Sequence, residues 1–133
     1  MKPVIAEVIE EFYTPELLRS MPEKIFVFGD NLLQRGTKGQ AAIRNEPNAF
    51  GVPTKRAPSM AEHAFFADRE DENSALREAL RKLYALGQVR PIVFPAAGIG
   101  TGLAQMASRS PELYRWMCGV LRDHFSFDQS SLR

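Results

Sequence analysis

Apolar positions in this chain alternate between short unbroken runs and longer periodic stretches. Val4 to Tyr13 interleaves β-branched residues with glutamates and predicts a first strand with one solvated face. Thr14, Pro15 and Glu16 make a helix start, with threonine as N-cap and proline in the first helical position. Glu16 to Ser20 therefore reads as a short helix, which Pro22 stops. Ile25 to Phe28 shows no polar alternation, the pattern of a strand buried on both faces. Gln40 to Arg44 is helical in composition, Asn45 to Asn48 breaks it, and Ala49 to Pro53 is a further short strand.

Pro58 to Glu72 is polar around the knot Ala64-Phe65-Phe66 and predicts a loop packed down by those rings. Asn73 or Ser74 can cap a helix with Leu76, Ala79, Leu80 and Leu83 on one face, Glu78 four residues before Lys82, and Gly87 as its stop. A second buried strand follows at Ile92 to Phe94. Ser110, Pro111 and Glu112 open a last helix whose Leu113, Trp116, Met117, Val120 and Leu121 form a core-facing stripe, and the polar tail 126–133 is expected to fray. The order strand, helix, strand is what a parallel sheet requires, so the fold class is α/β. A chain of 133 residues with 44% hydrophobic content suits one domain over 1–133.

Charge and composition narrow the function. Seventeen basic against sixteen acidic residues leave a net charge of +1, so no global field draws the protein to nucleic acid or an anionic membrane, and any polyanion must be met locally. The single cysteine, Cys118, lies in a helical stretch as a small core residue and excludes an intrachain disulfide. No apolar run is long enough to span a membrane and the start carries no secretory block, which points to the cytoplasm. His63 and His124 lack partners at ligand spacing, so no metal and no cofactor are expected, and there is no G-x-S-x-G to support a serine nucleophile.

The candidate chemistry lies in two glycine loops, each hung on a buried apolar run. Ile25 to Phe28 leads into Gly29-Asp30-Asn31 and then Gly36-Thr37-Lys38-Gly39-Gln40; Ile92 to Phe94 leads into Pro95-Ala96-Ala97-Gly98-Ile99-Gly100-Thr101-Gly102-Leu103. Loops at the carboxyl ends of parallel strands bind ligands, and glycine lets backbone N–H groups approach a phosphate. Neither loop fits a nucleotide fingerprint, since GxxxxGK[ST] is absent and the second loop reads GxGxG where a dinucleotide turn needs GxGxxG. Together they suggest one phosphate-binding cleft, with Lys38 able to pair with the phosphate, Asp30 and Asn31 placed to hydrogen-bond a base edge or a ribose, and Thr54 and Lys55 at a third strand end. A lysine partly buried in a cleft can have its pKa lowered enough to act as base or nucleophile.

Taken in order, these elements resemble the macrodomain, an α/β module that binds ADP-ribose, and within it the branch of macrodomain antitoxins that remove ADP-ribose from DNA and of glutamate-linked ADP-ribose hydrolases. The likeness rests on Asn31 followed by Lys38-Gly39-Gln40-Ala41, on Pro53-Thr54-Lys55, and on the loop from Pro95 to Leu103, over about residues 25–125. It implies a three-layer α/β/α domain with a mixed, largely parallel sheet. It also implies a ligand that is ADP-ribose or a related NAD-derived nucleotide, free or carried on an ADP-ribosylated macromolecule, and a catalytic role for Lys55. Where that branch places a partner acid after the last glycine loop, this chain has Ala104, and the closing strand of macrodomains has little sequence left to form it. Three readings therefore stand side by side: an ADP-ribosyl hydrolase, a non-catalytic reader or sponge of an NAD-derived nucleotide, and an enzyme handling glycosyl or phosphoribosyl groups on the same cleft.

Overall fold

Residues 1–132 are described by a computed structural model. Four strands, β1 (Glu7–Ile9), β2 (Ile25–Asn31), β3 (Ala49–Lys55) and β4 (Ile92–Pro95), form one sheet in the order β1-β4-β2-β3. Every neighbouring pair is parallel, so the antiparallel component of a mixed sheet is missing among the described residues. Helices α1 (Pro15–Ser20), α2 (Glu70–Gly87), α3 (Met106–Arg109) and α4 (Pro111–Phe125) complete a three-layer α/β/α domain.

Strand alternation explains the layers. Ile25 and Val27 of β2, with Ile92 and Phe94 of β4, face the core under α2 and α4, where Leu76, Leu83, Met117 and Leu121 bury completely. Phe26, Phe28 and Val93 face the other way, against Tyr13, Leu18 of α1 and Ile43. A central parallel strand covered on both sides has no polar face to show, which is why these runs are apolar throughout.

Several elements differ from their sequence expectation for identifiable reasons. The first strand shrinks to Glu7–Ile9 because the amides of Val4 and Ala6 donate instead to the carbonyls of His124 and Phe125 at the end of α4. At its other end Tyr13 turns inward, and its hydroxyl donates to the Val27 carbonyl at 2.7 Å. Thr14 caps α1 as expected, accepting from the Leu17 amide at 3.1 Å. Gln40 to Arg44 is not an α-helix: a 3-10 turn spans Gly39–Ile43.

Helix α2 starts three residues before Asn73. The carboxylate of Glu72, wholly buried, accepts from the Arg69 and Ala67 amides at 3.0 and 2.7 Å and ends the helix from inside, while Arg56 at the end of β3 pairs with it at 2.6 Å. Gly87 closes α2 without a left-handed backbone; a Cβ there would come within 2.6 Å of Val4, so this glycine is a packing requirement. Ser110 precedes α4, yet its hydroxyl donates to Asp68 at 2.7 Å. It is Asp68, in the 58–72 segment, that accepts from the Glu112 and Leu113 amides at 3.2 and 2.9 Å. Trp116 and Val120 are only partly buried.

The tail does not fray over its first part. Phe127 stacks on Phe94 with centroids 4.7 Å apart, and the fully buried Gln129 accepts from the Ile99 amide at 3.0 Å and donates to the Ile99 carbonyl at 2.7 Å. No helix among the described residues is long and apolar enough to cross a membrane.

Candidate functional site

β2, β3 and β4 run parallel, so their carboxyl ends share one edge of the sheet, and both glycine loops leave from that edge. They converge. The Gln40 side chain accepts from the Gly29 amide at 3.0 Å and donates to the Gly98 carbonyl at 3.0 Å, tying the first loop to the second. A Cβ on Gly29 would lie 3.4 Å from the Thr54 hydroxyl and 3.7 Å from the Gly100 amide nitrogen, so three strand ends crowd around one backbone.

Between the loops opens a cleft of about 790 Å³. Its lining includes Gly29, Asp30, Asn31, Gly36, Thr37, Lys38, Gly39, Gln40, Thr54, Lys55, Gly98, Gly100, Thr101 and Leu103, all expected from sequence. Pro95, Ile99 and Gly102 were expected there and do not line it. Pro95 is buried in β4 and Ile99 is turned into the core at 1% exposure, whereas Gly102 is exposed beside the cleft. Arg35, Arg44, Pro58, Ser59, Met60 and Ala104 line it without having been singled out for it.

Arg44 organises the first loop. Its guanidinium donates to both Asp30 oxygens at 3.0 and 2.6 Å, to the Gly36 carbonyl at 2.8 Å and to the Arg35 carbonyl at 2.9 Å. Asn31 closes the same loop, donating to the Arg35 carbonyl at 2.8 Å. These bonds occupy the carbonyl oxygens of Arg35 and Gly36. Among the described residues nothing accepts from the backbone amides of Gly36, Thr37 and Lys38, or of Gly100, Thr101 and Gly102. Gly36, Gly39, Gly98, Gly100 and Gly102 all have positive φ; at Gly39 and Gly102 the space beside the backbone is open.

The charge is one-sided. Asp30 is consumed by Arg44, Asn31 is committed to its own loop, and the remaining charged side chains, Arg35, Lys38 and Lys55, are cations. Lys55 ends β3, with its ammonium donating to the Ser59 carbonyl and lying 4.8 Å from the centre of the Phe65 ring. Burial first, and then the nearby Arg109 charge, hold its pKa below the ordinary lysine value. Arg109 covers the same ring at 3.8 Å and pairs with Glu62 at 2.7 Å. The Pro58–Met60 rim is anchored on both sides, because Lys55 bridges to Phe65 and the Arg56 amide donates to the Ala64 carbonyl at 2.8 Å.

Such a cleft can hold an anion between two sets of amides. General acid–base chemistry has less to draw on: no carboxylate free of an ion pair, no histidine and no cysteine lines it, and Ala104 stands at the wall where the resemblance places an acid. His63 and His124 are both exposed and lie outside it.

A family model described as a family of unknown function (DUF7831) matches residues 8–120, a span holding every residue of the cleft. No curated protein and no solved structure matches the chain.

Proposed function

The chain belongs to this family of unknown function, DUF7831, and we propose that it binds ADP-ribose, or an ADP-ribosyl group carried on a larger molecule, in the cleft between its two glycine loops. The observation that carries the reading is the Gln40 bridge, which makes one site of two loops that are 58 residues apart in sequence. The diphosphate lies against the amides of residues 36–40 and 100–103, and the distal ribose lies toward Asn31 and Lys55. A cleft of about 790 Å³ falls in the range of roughly 300–1,000 Å³ usual for small-molecule sites. Unbonded amides and uncompensated cations suit a group with two negative charges.

Hydrolysis of the ADP-ribosyl linkage is the second reading, favoured by the lowered pKa of Lys55, whose neutral amine would take a proton from the water that bonds to the anomeric carbon as the bond to the acceptor breaks and the acceptor leaves with a proton. Ala104 and the commitment of Asp30 to Arg44 favour a reader or sponge that holds the group without turning it over. Calorimetry with ADP-ribose tests binding: saturable heat is expected, and its absence at millimolar ligand would reject the proposal. Incubation with ADP-ribosylated DNA and protein separates the other two. A reader protects the modification, an enzyme strips it, and stripping undiminished in Lys55→Ala removes Lys55 from the mechanism.

A further inference from the structure

Helices α2 and α4 leave a groove of about 290 Å³ on the outer face of the domain, sharing no lining residue with the cleft. Its floor is aliphatic and aromatic, made by the buried Leu80 and Phe125, and Trp116 and Val120 form a half-exposed wall. The charged residues on its rim are both arginines, Arg77 and Arg81, joined by the His124 imidazole and the Tyr84 phenol, and no carboxylate is among the lining residues. Arg77 lies over the Trp116 ring at 4.5 Å, a cation–π contact that covers one face of the indole. Among the described residues nothing accepts from the Trp116 indole N–H. Arg81 is held only by Glu78, a pair 75% and 51% exposed and therefore surrendered at little cost.

We propose that this groove docks a short acidic peptide segment that places an apolar side chain on the Leu80–Phe125 floor and carboxylates against Arg77, Arg81 and the Trp116 N–H. Charge complementarity names the occupant's sign, and the floor names its class. An apolar slot between two helices takes aliphatic or aromatic side chains, whereas a nucleic acid strand needs exposed ring faces for stacking, and here the guanidinium of Arg77 covers the Trp116 ring. Trp, Tyr and Arg also dominate the energetics of protein interfaces, and Trp116, Tyr84, Arg77 and Arg81 meet here. Binding at this face is independent of the nucleotide cleft, so its success or failure leaves the ADP-ribose reading where it stands.

Trp116 is the one tryptophan in the chain, which makes its emission a reporter of this groove alone. A tryptophan-free random peptide library of about 12 residues is selected on the whole protein, and each enriched peptide is titrated against Trp116 emission at low and high salt. Enriched peptides are expected to carry Asp or Glu beside Leu, Ile or Phe and to shift the emission saturably. They should weaken with salt and lose about tenfold or more in affinity on Arg77→Gln/Arg81→Gln, which removes both charges without setting like charges beside Glu78 and whose fold is checked by its melting temperature. Peptides rich in Lys or Arg, affinity unchanged in the double variant, or no enrichment would each overturn the proposal. So would a single-stranded oligonucleotide that moves the emission at lower concentration than any peptide, and that result would reassign the face to nucleic acid.

Discussion

Arg44 closes on Asp30 with two hydrogen bonds, and the pair lies directly over Gly51, where a Cβ would come within 2.5 Å of the Asp30 carboxylate. The side chains are 14% and 8% exposed, so this is a largely buried ion pair whose single-sided removal strands a charge. Arg44→Ala is expected to cost about 3 kcal/mol of stability in urea unfolding, because removing one partner leaves the other uncompensated. The double variant Arg44→Ala/Asp30→Ala should recover part of that loss, and strict additivity of the two single costs would show that the residues do not act as a pair. Gly51→Ala should fail in the same direction as Arg44→Ala.

Replacing Gln40 probes the link between the loops. Gln40→Ala removes one bond accepted from Gly29 and one donated to Gly98, and ADP-ribose affinity should fall by about 1.4 kcal/mol, about tenfold in Kd. Gln40→Glu is expected to be worse, since it sets a carboxylate against the Gly98 carbonyl and beside the intended phosphate. Calorimetry on both variants checks the order, and equal affinity in all three proteins would show that the bridge does not shape the site.

Lys55 should titrate below 10.5, which a ¹³Cε shift titration reads directly. Burial is the larger cause and Arg109 the second, so Arg109→Ala should raise the midpoint without restoring it fully. The folded protein holds this proton less tightly than the unfolded chain does. The resulting cost in stability is therefore present at neutral pH and is relieved as pH rises through the window between the lowered value and 10.5. A midpoint at or above 10.5 would remove the physical basis for Lys55 as a base.

The cap on α4 predicts an acid dependence. Burial would push the Asp68 carboxyl up, but the Leu113 amide, the Ser110 hydroxyl and the Glu112 amide outweigh it and hold the group below the ordinary aspartate range. Asp68→Ala should cost about 1–2 kcal/mol at neutral pH, as lost caps do. The depressed pKa makes that contribution fully present above pH 3.8 and lost as pH falls through the folded value, so the gap between variant and wild type should narrow in acid. Because Asp68 has φ of +56°, Asn is the replacement that keeps the backbone, and Asp68→Asn should be milder than Asp68→Ala.

Both glycine loops were legible because a buried strand that ends in glycine leaves few structural alternatives, and the Thr14 cap was legible from the Thr-Pro-Glu residue types. Period alone marked Leu76, Leu80 and Leu83 of α2 and Leu113, Met117 and Leu121 of α4 as core, though it also counted Trp116 and Val120, which are only partly buried. Arg44 was not, since its partners Asp30 and Gly36 lie 14 and 8 residues away and nothing local marks it as more than a helical residue. Gly51 held the available hint: a glycine inside a strand signals a close approach, here by the Asp30 carboxylate. Ile99 misled because a loop of alternating glycines invites every residue to be counted toward the ligand, whereas its side chain belongs to the core. The caps by Glu72 and Asp68 went unread for a shared reason. A carboxylate that serves backbone amides inside a fold looks, in sequence, like one more solvated acid. Gln129 is the same case with an amide.

Gln129 grips both polar atoms of the Ile99 backbone, and Cβ positions at Gly98 would touch Gln129 and Leu132 at 3.0 Å. The rear wall of the second glycine loop is thus supplied by residues thirty or more positions downstream, beyond α4. A protein shortened after Phe127 would keep every described strand and helix yet leave the Gly98–Ile99 turn without the side chains that back it.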